Sequence, residues 1–85
     1  MGMKAVQYQK QALKVLRRMP RNTAQTIRQK IEQYAEDPKS LRNNVKLLAG
    51  RPGKRLRVGD WRVIFDEDDC VIDIREVGPR GSIYE

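Results

Sequence analysis

Histidine is absent from this sequence, and cysteine occurs once, as Cys70. A single cysteine cannot form an intramolecular disulfide, and without histidine the common Cys/His zinc spacings cannot be built. The missing imidazole also removes the side chain that most often moves protons near neutral pH. Any acid–base chemistry must therefore run on carboxylates, Lys, Arg or Tyr. Aromatics are scarce at 6% of the chain, with Trp61 and Phe65 alone of their kinds. That is too few for the base-stacking sheet of an RNA-recognition module. No run reaches the roughly 18 apolar residues of a membrane span, and MGMKAVQYQK lacks the apolar stretch of a signal peptide. A soluble, cytoplasmic protein with no membrane partner is expected.

What is abundant is positive charge. The 85 residues carry 18 Lys+Arg against 11 Asp+Glu, a net charge of +7 and a pI near 10.0. Residues 1–85 read as one small domain, and at 39% hydrophobic and 34% charged its core is expected to be thin. The charge is uneven: residues 1–37, 38–62 and 63–85 carry +5, +7 and −5. The middle third holds Lys39, Arg42, Lys46, Arg51, Lys54, Arg55, Arg57 and Arg62 against the single acid Asp60. A segment this basic attracts polyanions, of which nucleic acid is the commonest in cytosol; the plainer reading is a solvated face that keeps the domain soluble.

Patterning divides the chain into elements. Residues 3–8 read as an opening strand. Ala12, Leu13, Leu16 and Met19 fall at helical spacing before Pro20, and Ala24, Ile27, Ile31, Tyr34 and Ala35 do so again before Asp37-Pro38. Asn22 followed by Gln25 resembles a capping box for that second helix, over about 22–36. Residues 39–53 lack a clean period and read as an ordered connection with one helical turn. Three β-rich runs follow, 54–58, 61–66 and 70–77, and then a turn-bearing tail, GPRGSIYE. The expected fold is α+β, in the order β-α-α-β-β-β, an antiparallel sheet with two N-terminal helices packed on one face.

A two-residue Gly59-Asp60 loop sets the hairpin register, with Val58 opposite Trp61, Arg57 opposite Arg62, Leu56 opposite Val63 and Arg55 opposite Ile64. Leu56, Val58, Trp61, Val63 and Phe65 then face the helices, and Arg55, Arg57 and Arg62 gather on the other side. Like charges directly opposite cost a few tenths to about 1 kcal/mol, which suggests an anion site there. The alternative is that these arginines reach into solvent or pair with Asp73 and Glu76. Guanidinium favours bidentate contacts to phosphate oxygens, so a phosphodiester is the expected ligand. A tail folding back would add Arg80 and Tyr84, whose phenol a cationic field could poise as a proton acceptor; the plainer role for Tyr84 is packing its ring on the core. Asp66 to Asp69 read as a solvated turn rather than a metal site, and Cys70 as a small hydrophobe.

The order of elements, the phrase LRNNVKLLAGRPGKRLRVGDWRVIF (41–65) and the ending REVGPRGSIYE (75–85) resemble the RelE/ParE toxins of type II toxin–antitoxin systems over essentially the whole chain, the RelE side more closely. The resemblance implies an endoribonuclease that cuts mRNA in the ribosomal A site by attack of a 2′-hydroxyl, with no metal or other cofactor. It implies that Tyr84 acts as or positions the base, that Arg80 contacts the scissile phosphate and helps protonate the leaving oxygen, and that Arg62 stabilises the pentacovalent phosphate. Arg55 and Arg57 would hold the RNA backbone, and Lys54, Arg51, Lys46 and Arg42 would extend the RNA-binding surface. Pro79 stands where many relatives carry His, and Lys54 where several carry an aromatic, so weak or strictly ribosome-dependent cleavage without base stacking is expected. Implied partners are a cognate antitoxin with an acidic, partly disordered segment, the ribosome and mRNA, and operator DNA only through the antitoxin complex. Two other readings stay open: a ParE-like inhibitor that binds DNA gyrase, and a nucleic-acid-binding module that only grips phosphate.

Overall fold

A computed structural model describes residues 4–83. The chain runs β1 (Ala5–Tyr8), α1 (Lys10–Arg18), α2 (Arg21–Glu36), a 3₁₀ segment (Pro38–Asn44), β2 (Val45–Leu47), β3 (Lys54–Val58), β4 (Trp61–Glu67) and β5 (Val71–Pro79). The strands form one five-stranded sheet in the order β1-β5-β4-β3-β2. The α+β class and the element order agree with the sequence reading, and two details differ. The connection contains a short edge strand, β2, and β1 pairs with β5 in parallel, so the sheet is mixed rather than wholly antiparallel. The helical excursion after β1 has this cause: it lets the chain re-enter at the far edge, and the three antiparallel returns bring β5 back beside β1 in the same direction.

Both helices lie on one face because each has a single apolar stripe. Ala12 and Leu16 of α1, and Ile27, Ile31, Tyr34 and Ala35 of α2, are buried against Leu56, Val63, Phe65, Ile72 and Val77 of the sheet. Tyr34 meets Phe65 edge-on, with ring centroids 5.1 Å apart. The expected capping box is not made. Pro20, with φ fixed at −54°, starts α2 directly at Arg21, so Asn22 already lies inside the helix, where its Oδ1 accepts from the Thr23 N–H at 3.0 Å. No helix among the described residues is long and apolar enough to cross a membrane.

The predicted β3–β4 register is observed, including Arg57 opposite Arg62. On β5 the pairing shifts by one, from Ile64↔Glu76 to Phe65↔Ile74, leaving Arg75 as an extra residue. That bulge is why Ile72, Ile74 and Val77 all reach the helix side although 74 and 77 differ in parity. β5 also runs on through Gly78 and Pro79, read from sequence as the exit turn. Beyond Ile74 it has no β1 partner, so a proline there interrupts no ladder on that side. Gln11 of α1 takes the place of a strand: its Oε1 accepts from the Val77 N–H at 3.0 Å and its Nε2 donates to the Val77 carbonyl at 3.4 Å.

Candidate functional site

The sheet face opposite the helices carries the arginines. Strand alternation puts Arg55 and Arg57 of β3 there, with Arg62 of β4 across from Arg57, and Lys46 of β2 in register with Arg55. Arg62 is only 9% exposed, and its Nη1 donates to the carbonyls of Gly59 (3.0 Å) and Trp61 (3.1 Å), which hold the guanidinium against the hairpin turn. Arg57 is exposed and Arg55 half-buried. On the next strand Arg62 is opposite Gly78, which carries no side chain.

The tail does fold back over this face. The Arg80 N–H donates to the Asp60 carbonyl at 2.7 Å, which ties the tail to the hairpin turn. Ser82 closes a turn onto the Pro79 carbonyl through its N–H (3.1 Å) and its hydroxyl (2.9 Å), and Gly81 takes the left-handed φ of 89° that the reversal requires. Ile83 then drops into a small second core with Leu48 and Ile64. Gly78 is what admits it: a Cβ at that position would sit 2.7 Å from Ile83 Cγ1 and 2.8 Å from Cδ1. Sequence reasoning missed this socket, although Ile64, an apolar residue on the arginine side of the alternation, was a usable signal. Tyr84 lies outside the described residues.

Arg51 joins the face from the loop before β3, its Nη1 3.4 Å from Glu76 Oε2. Of the carboxylates on β5 considered as arginine partners, Glu76 thus takes Arg51, while Asp73 accepts from the Gln9 side-chain amide at 2.9 and 3.0 Å. Two predicted RNA-binding residues are placed elsewhere. Lys54 shares the parity of Leu56 and Val58, so it points to the helix side, where its Nζ lies 2.6 Å from Glu67 Oε1. Arg42 sits on the 3₁₀ segment, lining a groove on that same side together with Lys54.

Glu67 is the centre of a polar cluster that no local pattern in the chain announces. Lys4 Nζ (2.8 Å), Lys54 Nζ and the Tyr34 hydroxyl all donate to it. Burial pushes its carboxyl up, but the hydrogen bonds from Lys4, Lys54 and Tyr34 outweigh this and bring it down to about 2. Burial, reinforced by the bond to the Glu67 carboxylate, raises the Tyr34 phenol, so Tyr34 stays protonated and is unsuited to act as a base. The Asp66–Asp69 acids are dispersed: Asp66 accepts from Arg75 at 2.7 Å, Glu67 turns to the helices, and Asp68 Oδ1 accepts from the Cys70 and Val71 N–H groups. No metal-holding group of His, Cys, Asp or Glu occurs among the described residues. Cys70 is exposed in this turn rather than buried as a small hydrophobe, because its N–H is drawn onto Asp68 before β5 begins.

Chemically, the arrangement presents a fixed guanidinium, Arg62, between an exposed one, Arg57, and the tail bearing Arg80. Preorganised donors of this kind stabilise charge that develops on phosphate oxygens.

Comparison with known proteins places these features in a family. Residues 6–84 match the family model described as the ParE toxin of type II toxin–antitoxin systems, parDE. The fold is similar to a chain of the archaeal RelE–RelB complex from Pyrococcus horikoshii OT3, with TM-score 0.78, 27% identity, and 96% of this chain and 100% of that one covered. It is also similar to a chain of the RelB–RelE antitoxin–toxin complex from Methanococcus jannaschii, with TM-score 0.65, 25% identity, and 88% and 91% covered. A chain of the intact E. coli RelBE complex, at TM-score 0.72, 20% identity, and 89% and 95% covered, shares the fold. No curated protein matches the sequence.

Proposed function

The chain belongs to the RelE/ParE superfamily of type II toxin–antitoxin toxins, and from that premise we propose that it is a ribosome-dependent mRNA endoribonuclease acting without a metal. The observation that carries this reading is the placement of Arg57 opposite Arg62, with the Arg62 guanidinium held by two backbone carbonyls. A free-standing domain gains nothing from two like charges in register, whereas a phosphodiester laid between them neutralises both.

In the proposed reaction the 2′-oxygen of one nucleotide attacks the adjacent phosphorus, and the bond from phosphorus to the 5′-oxygen breaks. The products are a 2′,3′-cyclic phosphate and a 5′-hydroxyl. Tyr84 accepts the 2′-hydroxyl proton, Arg62 and Arg57 stabilise the pentacovalent phosphate, and Arg80 lies beside the leaving 5′-oxygen, which takes up a proton from solvent water. Arg55, Arg51 and Lys46 hold the flanking backbone. Lys54 and Arg42 are left out of this surface, because both lie on the helix side of the sheet. The cognate partner is an antitoxin, and the setting of the reaction is the cytoplasm.

The test is a cell-free translation reaction with a defined mRNA, the cut ends mapped by primer extension. Cleavage within A-site codons that requires ribosomes and falls by roughly two to three orders of magnitude in Arg62→Ala supports the reading. Intact mRNA with normal translation overturns it. The match to the ParE family favours a second reading, inhibition of DNA gyrase through a protein contact. In a supercoiling assay that reading expects inhibition by wild type and by Arg62→Ala alike, with no RNA cleavage.

A further inference from the structure

Around the hairpin turn from Arg62, on the helix side of the sheet, a cleft of about 270 Å³ opens between the start of α2 and the Gly59-Asp60 loop. Its apolar wall is Ile27 with Trp61, the one tryptophan of the chain, which packs against the main core yet stays partly exposed. Asn22, Thr23, Thr26 and Asp60 make the polar wall. The Asn22 Oδ1 is taken by the Thr23 N–H, which leaves the amide nitrogen of Asn22 to donate. Asp60 is exposed, and no ion pair among the described residues holds its carboxylate.

Cleft and arginine face share the hairpin loop. Trp61 and Arg62 are consecutive on β4 and point to opposite sides of the sheet. The Gly59 carbonyl holds the Arg62 guanidinium, and the Asp60 carbonyl holds the Arg80 N–H. A single strand with one phosphate between Arg57 and Arg62 therefore has the cleft one short turn of backbone away. A second phosphate is disfavoured there, because Asp60 would meet it as a like charge. The volume falls below the roughly 300–1,000 Å³ of pockets that enclose drug-sized ligands, and suits one planar ring system laid on the indole. Single-stranded RNA is commonly held in this way, its bases stacked on aromatic side chains and hydrogen-bonded along their Watson–Crick edges. Of the four RNA bases, only guanine presents two adjacent N–H donors on that edge, N1–H and the N2 amino group, a match for the two oxygens of a carboxylate.

We propose that this cleft is a base pocket. A guanine next to the phosphate on the arginine face leaves the stack, lies on Trp61 and donates N1–H and N2–H to the Asp60 carboxylate, while the Asn22 amide donates to its O6. The inference rests on the arginine face holding an RNA phosphodiester. It also revises the expectation of cleavage without base stacking: an aromatic is missing at Lys54, and Trp61 supplies one from the other side of the hairpin.

The test uses the lone tryptophan, whose emission a stacked base quenches. The full chain is titrated with the 2′-O-methyl trinucleotides UUU, GUU, UGU and UUG, in which the attacking hydroxyl is blocked, and binding is followed in parallel by calorimetry. The expected result is that at least one guanine-bearing trimer quenches Trp61 saturably and binds roughly tenfold or more tighter than UUU. Asp60→Asn abolishes that preference, since a carboxamide offers one acceptor in place of two. Arg57→Ala, at an exposed side chain, weakens all four trimers alike. Equal affinity for all four, or calorimetric binding that leaves Trp61 emission unchanged, overturns the base pocket and leaves the arginine face standing as a phosphodiester site. Quenching by inorganic phosphate equal to that by the best trimer overturns it in favour of an anion at the start of α2. Absence of binding by any trimer, or binding indifferent to Arg57→Ala, removes both the pocket and the phosphodiester reading beneath it.

Discussion

Replacing Gly78 by alanine should undock the C-terminal tail, and Arg80 with it, while leaving the arginines of β3 and β4 in place. Gly78 takes an ordinary strand conformation, so the backbone tolerates alanine; the conflict is with the tail. The new Cβ would lie 2.7 and 2.8 Å from two carbons of Ile83 and 3.1 Å from Ser82 Oγ, closer than carbon atoms pack, so Ile83 must leave its socket against Leu48 and Ile64. Fully burying an isoleucine is worth about 1.5–3 kcal/mol, and each 1.4 kcal/mol is tenfold in an equilibrium. The docked tail should thus lose roughly ten- to a hundredfold in its docking equilibrium. Amide exchange reads this, because the Arg80 N–H is bonded to Asp60 across to the hairpin turn and the Ser82 N–H to Pro79 within the tail's own turn. Their exchange should accelerate by that factor in Gly78→Ala, and similarly in Ile83→Ala, while Ile83→Val stays close to wild type. If Arg80 positions the leaving oxygen, mRNA cleavage falls in step with exchange. Unchanged protection of Arg80 and Ser82 in Gly78→Ala would refute the socket. Lost protection with full cleavage would instead remove the tail from the reaction.

Other expectations concern stability. Arg57→Gln relieves the cross-strand repulsion with Arg62, so the domain should gain a few tenths to about 1 kcal/mol in chemical denaturation while losing cleavage. Glu67, held down to about 2, binds its proton more weakly in the folded chain than in the unfolded one. Its contribution is therefore full above the ordinary carboxylate range and disappears as pH falls toward 2, on the order of 1–2 kcal/mol after allowance for solvent screening. Glu67→Gln should flatten that part of a stability-against-pH profile. Gln11→Ala leaves both polar groups of the buried Val77 without their side-chain partner, at a cost of about 1–3 kcal/mol in thermal or urea unfolding.

Local rules were enough to place both helices and the β3–β4 hairpin, because each depends on near neighbours: apolar spacing on a helix, and a two-residue Gly59-Asp60 loop that allows one register. That register in turn puts Arg55, Arg57 and Arg62 on a common face with no help from any tertiary contact. Other features depend on residues distant in the chain, which a local pattern does not encode. The parallel pairing of β1 with β5 and the Gln11 bridge to Val77 both join the first residues to the last strand. The bulge at Arg75 changes which parity of β5 faces the core. Lys54 reads as one more cation in a basic run until its strand parity turns it to Glu67, Lys4 and Tyr34, and Ile83 reads as a tail residue until Gly78 makes room for it. Sequence alone determined the basic character of the domain and the side of the hairpin that bears it. The tertiary structure decided which of those charges face open solvent, which are compensated by a carboxylate, and where the tail lies, because those outcomes are set by packing between segments far apart in the chain.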